Sequence, residues 1–253
     1  MTDWLADERI VDRGFAHAWR SRVGDANGEV FFEQLVLDHL DSDRVVLDVG
    51  CGHGGFAISL AERCETIVGV DRDGAAIGLA RELAAERGVE NATFVVAALD
   101  GSAALPGEDA SVDVFVDRRG PTLDKWLGEA CRLAAPKAVI VGMHPTGTAG
   151  AVPEWNRELP DQLRLTAFSY EQVRSWVEQP IAESPAVLDS CWWFDVPEWF
   201  DDPRELHARL AGRRHPTLPF YAVSATLEQI FARHSGSLGL EIRHCRLVWR
   251  VSL

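Results

Sequence analysis

The sequence predicts an α/β fold with a doubly wound, seven-stranded and mostly parallel sheet, whose last strand runs antiparallel and which carries helical lid additions. Short continuous apolar runs, typical of strands buried on both faces, alternate strictly with segments of helical periodicity. The chain then closes with an alternating segment at 240–251, which suits a final antiparallel strand. Strict alternation implies right-handed crossovers with helices on both faces of the sheet.

The first half of the chain is expected to supply four strands with their helices. A spacing of three to four residues between apolar positions predicts helices over 28–40 and 56–63. A third helix is expected to begin after Asp73, a good N-cap, and to end at Gly88, which suits a left-handed C-terminal residue. The continuous apolar runs predict strands at 44–49, 66–70, 93–97 and 112–116.

The second half is predicted to complete the sheet. Pro121 suits the first turn of a helix, and a fifth strand follows at 138–142. Residues 146–165 have no clear period and are expected to form a surface segment near the ligand-binding edge. Ser169 and Gln172 have the spacing of a capping box, which predicts a helix over 170–178. The remaining elements are strand six at 187–194, helices at 203–210 and 223–232, and strand seven at 240–251.

Composition and charge exclude several classes of protein. No apolar run approaches the ~20 residues that span a bilayer. The N-terminus is acidic where a secretory signal would be basic and apolar, which predicts a cytoplasmic protein. The formal net charge of -14 opposes binding to nucleic acid. Five cysteines without a C-x-x-C pair indicate free thiols and no metal site.

The sharpest motif is a glycine-rich turn between the first strand and the following helix. Asp48 is the next-to-last residue of the strand, and Gly50, Gly52 and Gly54 follow at alternate positions. Glycines allow a tight turn and a close approach of a ligand to the backbone, while the helix N-terminus offers unpaired amides. Asp71 closes the second strand, 21 residues after Gly50, where its carboxylate can accept two ribose hydroxyls. Together these residues predict a site for a nucleoside cofactor.

This pattern of an acid followed by alternate glycines resembles the class I S-adenosylmethionine-dependent methyltransferases, which have a Rossmann-like fold. The resemblance covers about residues 45–145 and implies S-adenosyl-L-methionine as the cofactor. It implies that Asp48 anchors the amino-acid end of the cofactor, with Asp117 as a second candidate, and that Asp71 holds the ribose. The rest of the predicted cofactor site comprises Gly50, Cys51, Gly52 and Gly54 of the loop, Arg72 beside Asp71, and Ala98, Leu99 and Asp100 near adenine.

Three alternatives remain open. The same glycines fit Gly50-x-Gly52-x-x-Gly55, a dinucleotide motif in which Asp71 would bind the ribose of NAD. Asp48 and the alternating last segment favour a methyltransferase over such an oxidoreductase. A methyltransferase acting on rRNA or other nucleic acid is the second alternative, because the chain faintly resembles bacterial 23S rRNA guanine-N1 methyltransferases. No cysteine precedes Cys51 to form their zinc module, however. A non-catalytic cofactor-binding protein is the third.

The acceptor is therefore predicted to be a small molecule, with no nucleic-acid or membrane partner and with a homodimer possible. Methyl transfer needs alignment of the acceptor and sometimes a base. His144, just beyond strand five, is the candidate base or a loop cap, and Asp117 at the end of strand four is the other catalytic candidate. Candidates for acceptor binding are Arg118 and Arg119, through a carboxylate or phosphate, and Trp192, through an aromatic pocket. Resemblance to small-molecule methyltransferases adds Trp19, on an N-terminal helix that closes over the cofactor.

A single domain is expected over residues 1–253. Residues 1–42 are predicted to form an N-terminal helical cap and residues 43–145 the cofactor-binding core. Residues 146–253 are predicted to supply the acceptor-site elaborations and the last two strands.

Overall fold

An eight-stranded mixed sheet organises the protein in this computed structural model, which describes residues 22–24, 26–98, 100, 104–145, 148–149, 152–211 and 217–253. The strands are β1 (Arg22–Val23), β2 (Val45–Val49), β3 (Thr66–Asp71), β4 (Ala92–Val96), β5 (Val112–Arg118), β6 (Ala134–Pro145), β7 (Thr148–Ala149), β8 (Ala167–Phe168), β9 (Val187–Phe200) and β10 (Leu240–Ser252). The α-helices are α1 (Glu29–Leu37), α2 (Gly55–Leu60), α3 (Gly74–Glu86), α4 (Leu127–Leu133), α5 (Tyr170–Ala182), α6 (Pro203–Ala211) and α7 (Ser224–His234).

The strand order confirms the predicted fold class. The sheet runs β1-β9-β10-β6-β5-β2-β3-β4, with β2 to β6 parallel and β10 antiparallel to both of its neighbours. All seven predicted strands are present. The eighth, β1, pairs two residues with the outer end of β9, and two residues are too few to produce a periodic pattern. A separate pair, β7 with β8, lies outside the main sheet.

Helices cover both faces of the parallel strands, which is why the predicted strands are continuously apolar. On one face, α1, α2 and α3 bring Phe32, Phe56 and Ile77 onto the sheet. On the other face, α4 and α5 contribute Leu127 and Val173. Adjacent strand residues point to opposite faces, so both faces of the same strand are buried. None of the helices in the described part of the chain has the length and apolar character needed to cross a membrane.

A third apolar cluster lies beyond the carboxyl ends of the parallel strands. Two short 3₁₀ helices at Glu154–Glu158 and Asp161–Leu163 pack with α6, α7 and the outer ends of β9 and β10. Trp155 and Leu163 are 5% and 1% exposed, so the expectation of a purely surface segment over 146–165 is wrong for this part of it. Single 3₁₀ turns are too short to produce a readable period.

Local signals located the helix ends well. Asp73 accepts the amides of Ala75 and Ala76 at 3.0 and 3.3 Å, and Ser169 forms the predicted capping box with Gln172. The helix expected at Pro121 instead begins at Leu127, after a 3₁₀ turn at Leu123–Lys125. The fifth and sixth strands are longer than predicted, because β6 continues to Pro145 and β9 to Phe200, both paired with β10.

Close packing of β6 against β10 makes Gly142 necessary. A Cβ added at Gly142 would lie 2.0 Å from the indole of Trp249, which is fully buried. We expect Gly142→Ala to lower the free energy of unfolding by about 2 kcal/mol, since overpacking displaces neighbouring side chains. The matched control is Gly78→Ala in α3, where an added Cβ meets nothing within 4 Å and helix propensity should add about 1 kcal/mol. Urea unfolding of both variants tests this, and a shift of the same sign in both would contradict it.

Candidate functional site

The glycine-rich turn lies between β2 and α2, at the carboxyl edge of the sheet. A Cβ at Gly50 would lie 2.6 Å from the Cα of Gly120, so this end of the turn is packed against the loop after β5. Gly52 has φ +56, a left-handed conformation, and a Cβ there would meet nothing within 4 Å. The middle of the turn therefore borders open space, which allows a ligand to approach the backbone.

Asp71, the last residue of β3, is fixed against this turn by two backbone amides. Its Oδ2 accepts the amide of Gly52 at 2.9 Å, and its Oδ1 accepts the amide of Asp73 at 2.9 Å. Each carboxylate oxygen offers two lone-pair directions, so each keeps one position for a further donor. The half-buried carboxylate can therefore accept two hydroxyl groups while its orientation remains fixed.

Asp48, near the end of β2, is a buried acid without a hydrogen-bond partner among the described residues. It is 2% exposed. Burial raises its pKa to about 7, with a smaller contribution from Asp71, while Arg118 acts in the opposite direction. The carboxylate lines an open cavity together with Gly50, Cys51, His53, Phe56 and Arg118. A cationic group entering this cavity would add to Arg118 as a positive counter-charge and would stabilise the ionised form of Asp48.

These two acids fit the amino-acid and ribose ends of S-adenosylmethionine. The cavity with its partnerless carboxylate can take an ammonium group, and Asp71 can take vicinal hydroxyls across the open space at Gly52. His53, whose ring accepts the amide of Gly55 at 3.3 Å, also lines the cavity. The residues present thus suit the cofactor that the sequence predicted.

The other predicted cofactor residues surround the same edge. Burial, Asp48 and Asp71 raise the pKa of the Cys51 thiol, so this residue is an unreactive packing group. Arg72, Ala98 and Asp100 are exposed, and Leu99 lies outside the described residues. Sequence reasoning missed Val96, which ends β4 beside Asp71 and is 51% exposed, an apolar surface on which a flat ring could lie. An exposed valine has no sequence signal of its own.

Asp117 and His144 form a buried pair on adjacent strands. Asp117 Oδ2 and His144 Nε2 lie 3.5 Å apart, and neither atom has another hydrogen-bond partner among the described residues. Burial raises the pKa of Asp117 well above its usual value, although the amide of Gly120 opposes this. Burial lowers the pKa of His144 to about 4, with Met143 opposing. Burial therefore disfavours the charged form of both members of the pair. His144 belongs to β6 itself and does not lie beyond the strand.

We expect the imidazole of His144 to stay neutral from about pH 5.5 to 8, because burial disfavours its charged form. Nitrogen-15 chemical shifts of the ring measure this directly. A titration with a midpoint near 6.5, the ordinary value for histidine, would contradict the buried geometry.

Arg118 and Arg119, which follow Asp117, converge on one carboxylate from α1. Glu29 accepts Arg118 Nη2 at 2.8 Å and also pairs with Arg119. Arg246 of β10 donates to the same carboxylate at 2.7 Å. Sequence reasoning missed Glu29 and Arg246, which are 217 positions apart and share no motif.

Trp192 packs against α1 and does not line the Asp48 cavity. Its ring contacts Phe31 edge-on, with centroids 5.0 Å apart. The other aromatic candidate, Trp19, lies outside the described residues. Within the described ranges, no group of three or more His, Cys, Asp or Glu residues could hold a metal ion, and all five cysteines are free.

The fold and site define a class of protein. Five parallel strands, an antiparallel β10 inserted between β6 and β9, and an acid followed by a glycine turn are typical of class I S-adenosylmethionine-dependent methyltransferases. A family model described as a methyltransferase domain matches residues 40–204, well over half of the chain. The chain therefore belongs to this methyltransferase family, which disfavours the dinucleotide interpretation of the glycines.

Two curated relatives share segments of this chain. A 23S rRNA (uracil(1939)-C(5))-methyltransferase of Aeromonas salmonicida is 31% identical over 131 residues, covering 50% of this chain and 29% of that protein. A 2-heptyl-1-hydroxyquinolin-4(1H)-one methyltransferase of Mycobacteroides abscessus is 45% identical over 72 residues, covering 28% of this chain and 30% of that protein. The matched segments thus span under a third of each relative's length.

A solved structure shares the fold over nearly its full length. A functionally unknown protein from Deinococcus radiodurans has a TM-score of 0.66 and 20% identity, with 97% of each chain covered. At this identity the likeness supports the fold alone.

Proposed function

We propose that this protein transfers a methyl group from S-adenosylmethionine to a small-molecule acceptor. The single observation that carries the proposal is a buried Asp48, which accepts no hydrogen bond from any described residue, facing a fixed Asp71 across the open glycine turn. When bound, the cofactor supplies a methyl group already activated on a sulfonium. The protein then has to bind both molecules, align them and exclude water.

In this proposal each end of the cofactor has its own residues. Asp71 accepts the ribose hydroxyls, and Asp48 attracts the ammonium group, with Asp117 nearby. The turn of Gly50, Cys51, Gly52 and Gly54 lies beneath the cofactor. The adenine would lie near Val96, with Arg72, Ala98 and Asp100 around it.

Asp117 and His144 are the proposed destination of the proton that leaves the acceptor. His144 is neutral at neutral pH and is therefore in the form that can accept a proton. Asp117 Oδ2, 3.5 Å away, can accept a hydrogen bond from the imidazolium that results. Neither residue lines the Asp48 cavity, so we place their role on the acceptor side.

The charge of the protein favours a small acceptor. A formal charge of -14 repels the phosphates of RNA. The similarity to an enzyme whose name gives a hydroxyquinolone as its substrate points the same way. The third apolar cluster, at the outer ends of β9 and β10, would enclose such an acceptor. Methylation of rRNA is the second candidate, because the relative with the longer matched segment is named for that reaction.

A labelled-methyl assay tests the proposal. The protein is incubated with tritium-labelled S-adenosylmethionine and either a panel of phenols, hydroxyquinolones and small acids or a 23S rRNA fragment. We expect label on a small molecule and none on RNA. Label on RNA alone would overturn the choice of acceptor, while binding of S-adenosylhomocysteine without any transfer would favour a non-catalytic protein.

A further inference from the structure

Three guanidinium groups surround a single carboxylate where α1, β5 and β10 meet. Glu29 accepts Arg118 Nε and Nη2 at 3.1 and 2.8 Å and Arg246 Nη1 at 2.7 Å, and it also pairs with Arg119. We call Glu29, Arg118, Arg119 and Arg246 the arginine cluster. Although burial acts to raise the pKa of Glu29, the three arginines together hold it below its usual value. Within the cluster, three positive charges face one negative charge.

A second carboxylate lies close to the arginine cluster and offsets part of its charge. Glu198 of β9 is 4% exposed, pairs with Arg209 at 3.3 Å and acts electrostatically on Arg246. His244 lies 3.7 Å from Glu198, which acts to raise the pKa of this ring, but burial and the surrounding arginines lower it to about 4, so the ring is neutral at pH 7. Arg118, Arg119, Arg246 and Arg209 together therefore face Glu29 and Glu198, which leaves an excess of positive charge in a protein that is strongly acidic as a whole.

Arg246 is removed from water, and Arg119 is held by an uncommon backbone conformation. Arg246 is 5% exposed, and its Nε has no hydrogen-bond partner among the described residues. Burial lowers the pKa of Arg246, and it lowers that of Arg119 to about 10, while Glu29 opposes both effects. Arg119 has φ +66, an uncommon conformation for a residue with a side chain, and its amide donates to Met143 at 2.8 Å. Such strain is concentrated at functional positions.

The arginine cluster adjoins the cofactor cavity and is open on one side. Arg118 lines the same cavity as Asp48, and its guanidinium lies 5.4 Å from the ring centre of Phe56. The side chains of Glu29, Arg118 and Arg119 keep 24%, 18% and 25% of their surface exposed. A ligand bound here would lie beside the amino-acid end of the cofactor.

We propose that the arginine cluster is a subsite for an oxyanion, a carboxylate or phosphate carried by the methyl acceptor, and that Glu29 occupies the place of this anion in its absence. Forked guanidinium groups match such oxyanions geometrically. The inference rests on the proposed function, because it assigns the acceptor's chemical class. Arg246 also donates to the carbonyl oxygen of Asn27 at 3.0 Å, and Arg118 and Arg119 make further contacts of their own. The variants are placed at Arg246, the most buried of the three arginines, and at Glu29.

The test is calorimetric titration at constant ionic strength with inorganic phosphate, malonate and the uncharged malonamide. Wild-type protein should bind phosphate or malonate saturably and should not bind malonamide. Arg246→Gln should weaken that binding about tenfold, the effect of one charge-assisted hydrogen bond. The matched control is Arg243→Gln on the same strand, where the side chain is 52% exposed, and it should bind the anion like the wild type.

Glu29→Gln gives the sharper outcome, because it removes the internal anion that competes with the ligand. We expect this variant to bind the anion about tenfold more tightly, a gain that a purely structural role would not produce. Equal binding by wild type, Arg246→Gln and Glu29→Gln, or absence of saturable binding, would overturn the proposal. Titration of the wild type and of each variant with S-adenosylhomocysteine is a separate readout. Absence of S-adenosylhomocysteine binding would refute the proposed function, whereas it would leave the anion subsite untouched.

Which oxyanion binds is decided by comparing the two probes. Preference for phosphate would indicate a phosphorylated acceptor, and preference for malonate would indicate an acceptor acid.

Discussion

Replacing Asp71 with alanine is expected to weaken the binding of S-adenosylhomocysteine by about a hundredfold or more. The variant loses an acceptor for two hydroxyl groups, and charge-assisted hydrogen bonds contribute about 1.5–3 kcal/mol each. It also releases the amide of Gly52 in the middle of the turn, to which Asp71 is bonded at 2.9 Å. Isothermal titration calorimetry on wild type and variant measures the effect.

Asp73→Ala is the matched control for this experiment. Asp73 is two residues away and caps α3 through the amides of Ala75 and Ala76. Its loss should lower stability by about 1 kcal/mol while leaving cofactor affinity unchanged. Wild-type affinity in Asp71→Ala, or an equal loss in both variants, would show that Asp71 does not hold the ribose.

Asp48→Asn is expected to stabilise the protein and to impair cofactor binding at the same time. Burial raises the pKa of Asp48 from 3.8 to about 7. Because the pKa of Asp48 is higher in the folded than in the unfolded state, ionising this carboxyl group costs folding free energy. The free energy of unfolding therefore falls as pH rises from about 4 to about 7, and the full cost is present above about pH 7. At pH 8 this penalty is about 4 kcal/mol, at 1.36 kcal/mol per pH unit. The asparagine amide would itself be buried without a hydrogen-bond partner, which costs about 2 kcal/mol. The variant should therefore be about 2 kcal/mol more stable than the wild type at pH 8.

The two effects have different pH dependence, which makes the test specific. Urea unfolding should show Asp48→Asn more stable than wild type at about pH 8, with the difference shrinking toward pH 5. Affinity of wild type for S-adenosylhomocysteine should rise through about pH 7 as the carboxylate ionises, and the variant should lack this rise. A variant that is less stable at pH 8, or that keeps the rise, would contradict the role assigned to Asp48.

The parts of the site that sequence predicted are those fixed by strand ends. In a parallel sheet the carboxyl ends of neighbouring strands meet at one edge, so acids at or next to the last residues of β2 and β3 must lie close to the glycine turn that follows β2. Asp48 and Asp71 could therefore be identified from the apolar runs that precede them. The caps at Asp73 and Ser169 depend only on neighbouring residues and were equally readable.

Contacts set by strand register or distant pairing could not be predicted. Asp117 and His144 were each identified, but their contact depends on the register that places Asp117 beside Gly142 across β5 and β6. Glu29 and Arg246 meet only because β10 returns antiparallel beside β6, near the start of α1. The outer end of β9 extends the sheet beyond the strand predicted at 187–194, because residues 195–200 pair with β10, a long-range contact that leaves no local signal in the sequence.

The central claim is that the glycine turn recognises S-adenosylmethionine and not a nicotinamide dinucleotide. Titration of the wild-type protein with S-adenosylhomocysteine and, separately, with NADH measures this. We expect saturable binding of S-adenosylhomocysteine at one site per chain and no heat from NADH. Saturable binding of NADH with none of S-adenosylhomocysteine would contradict the account.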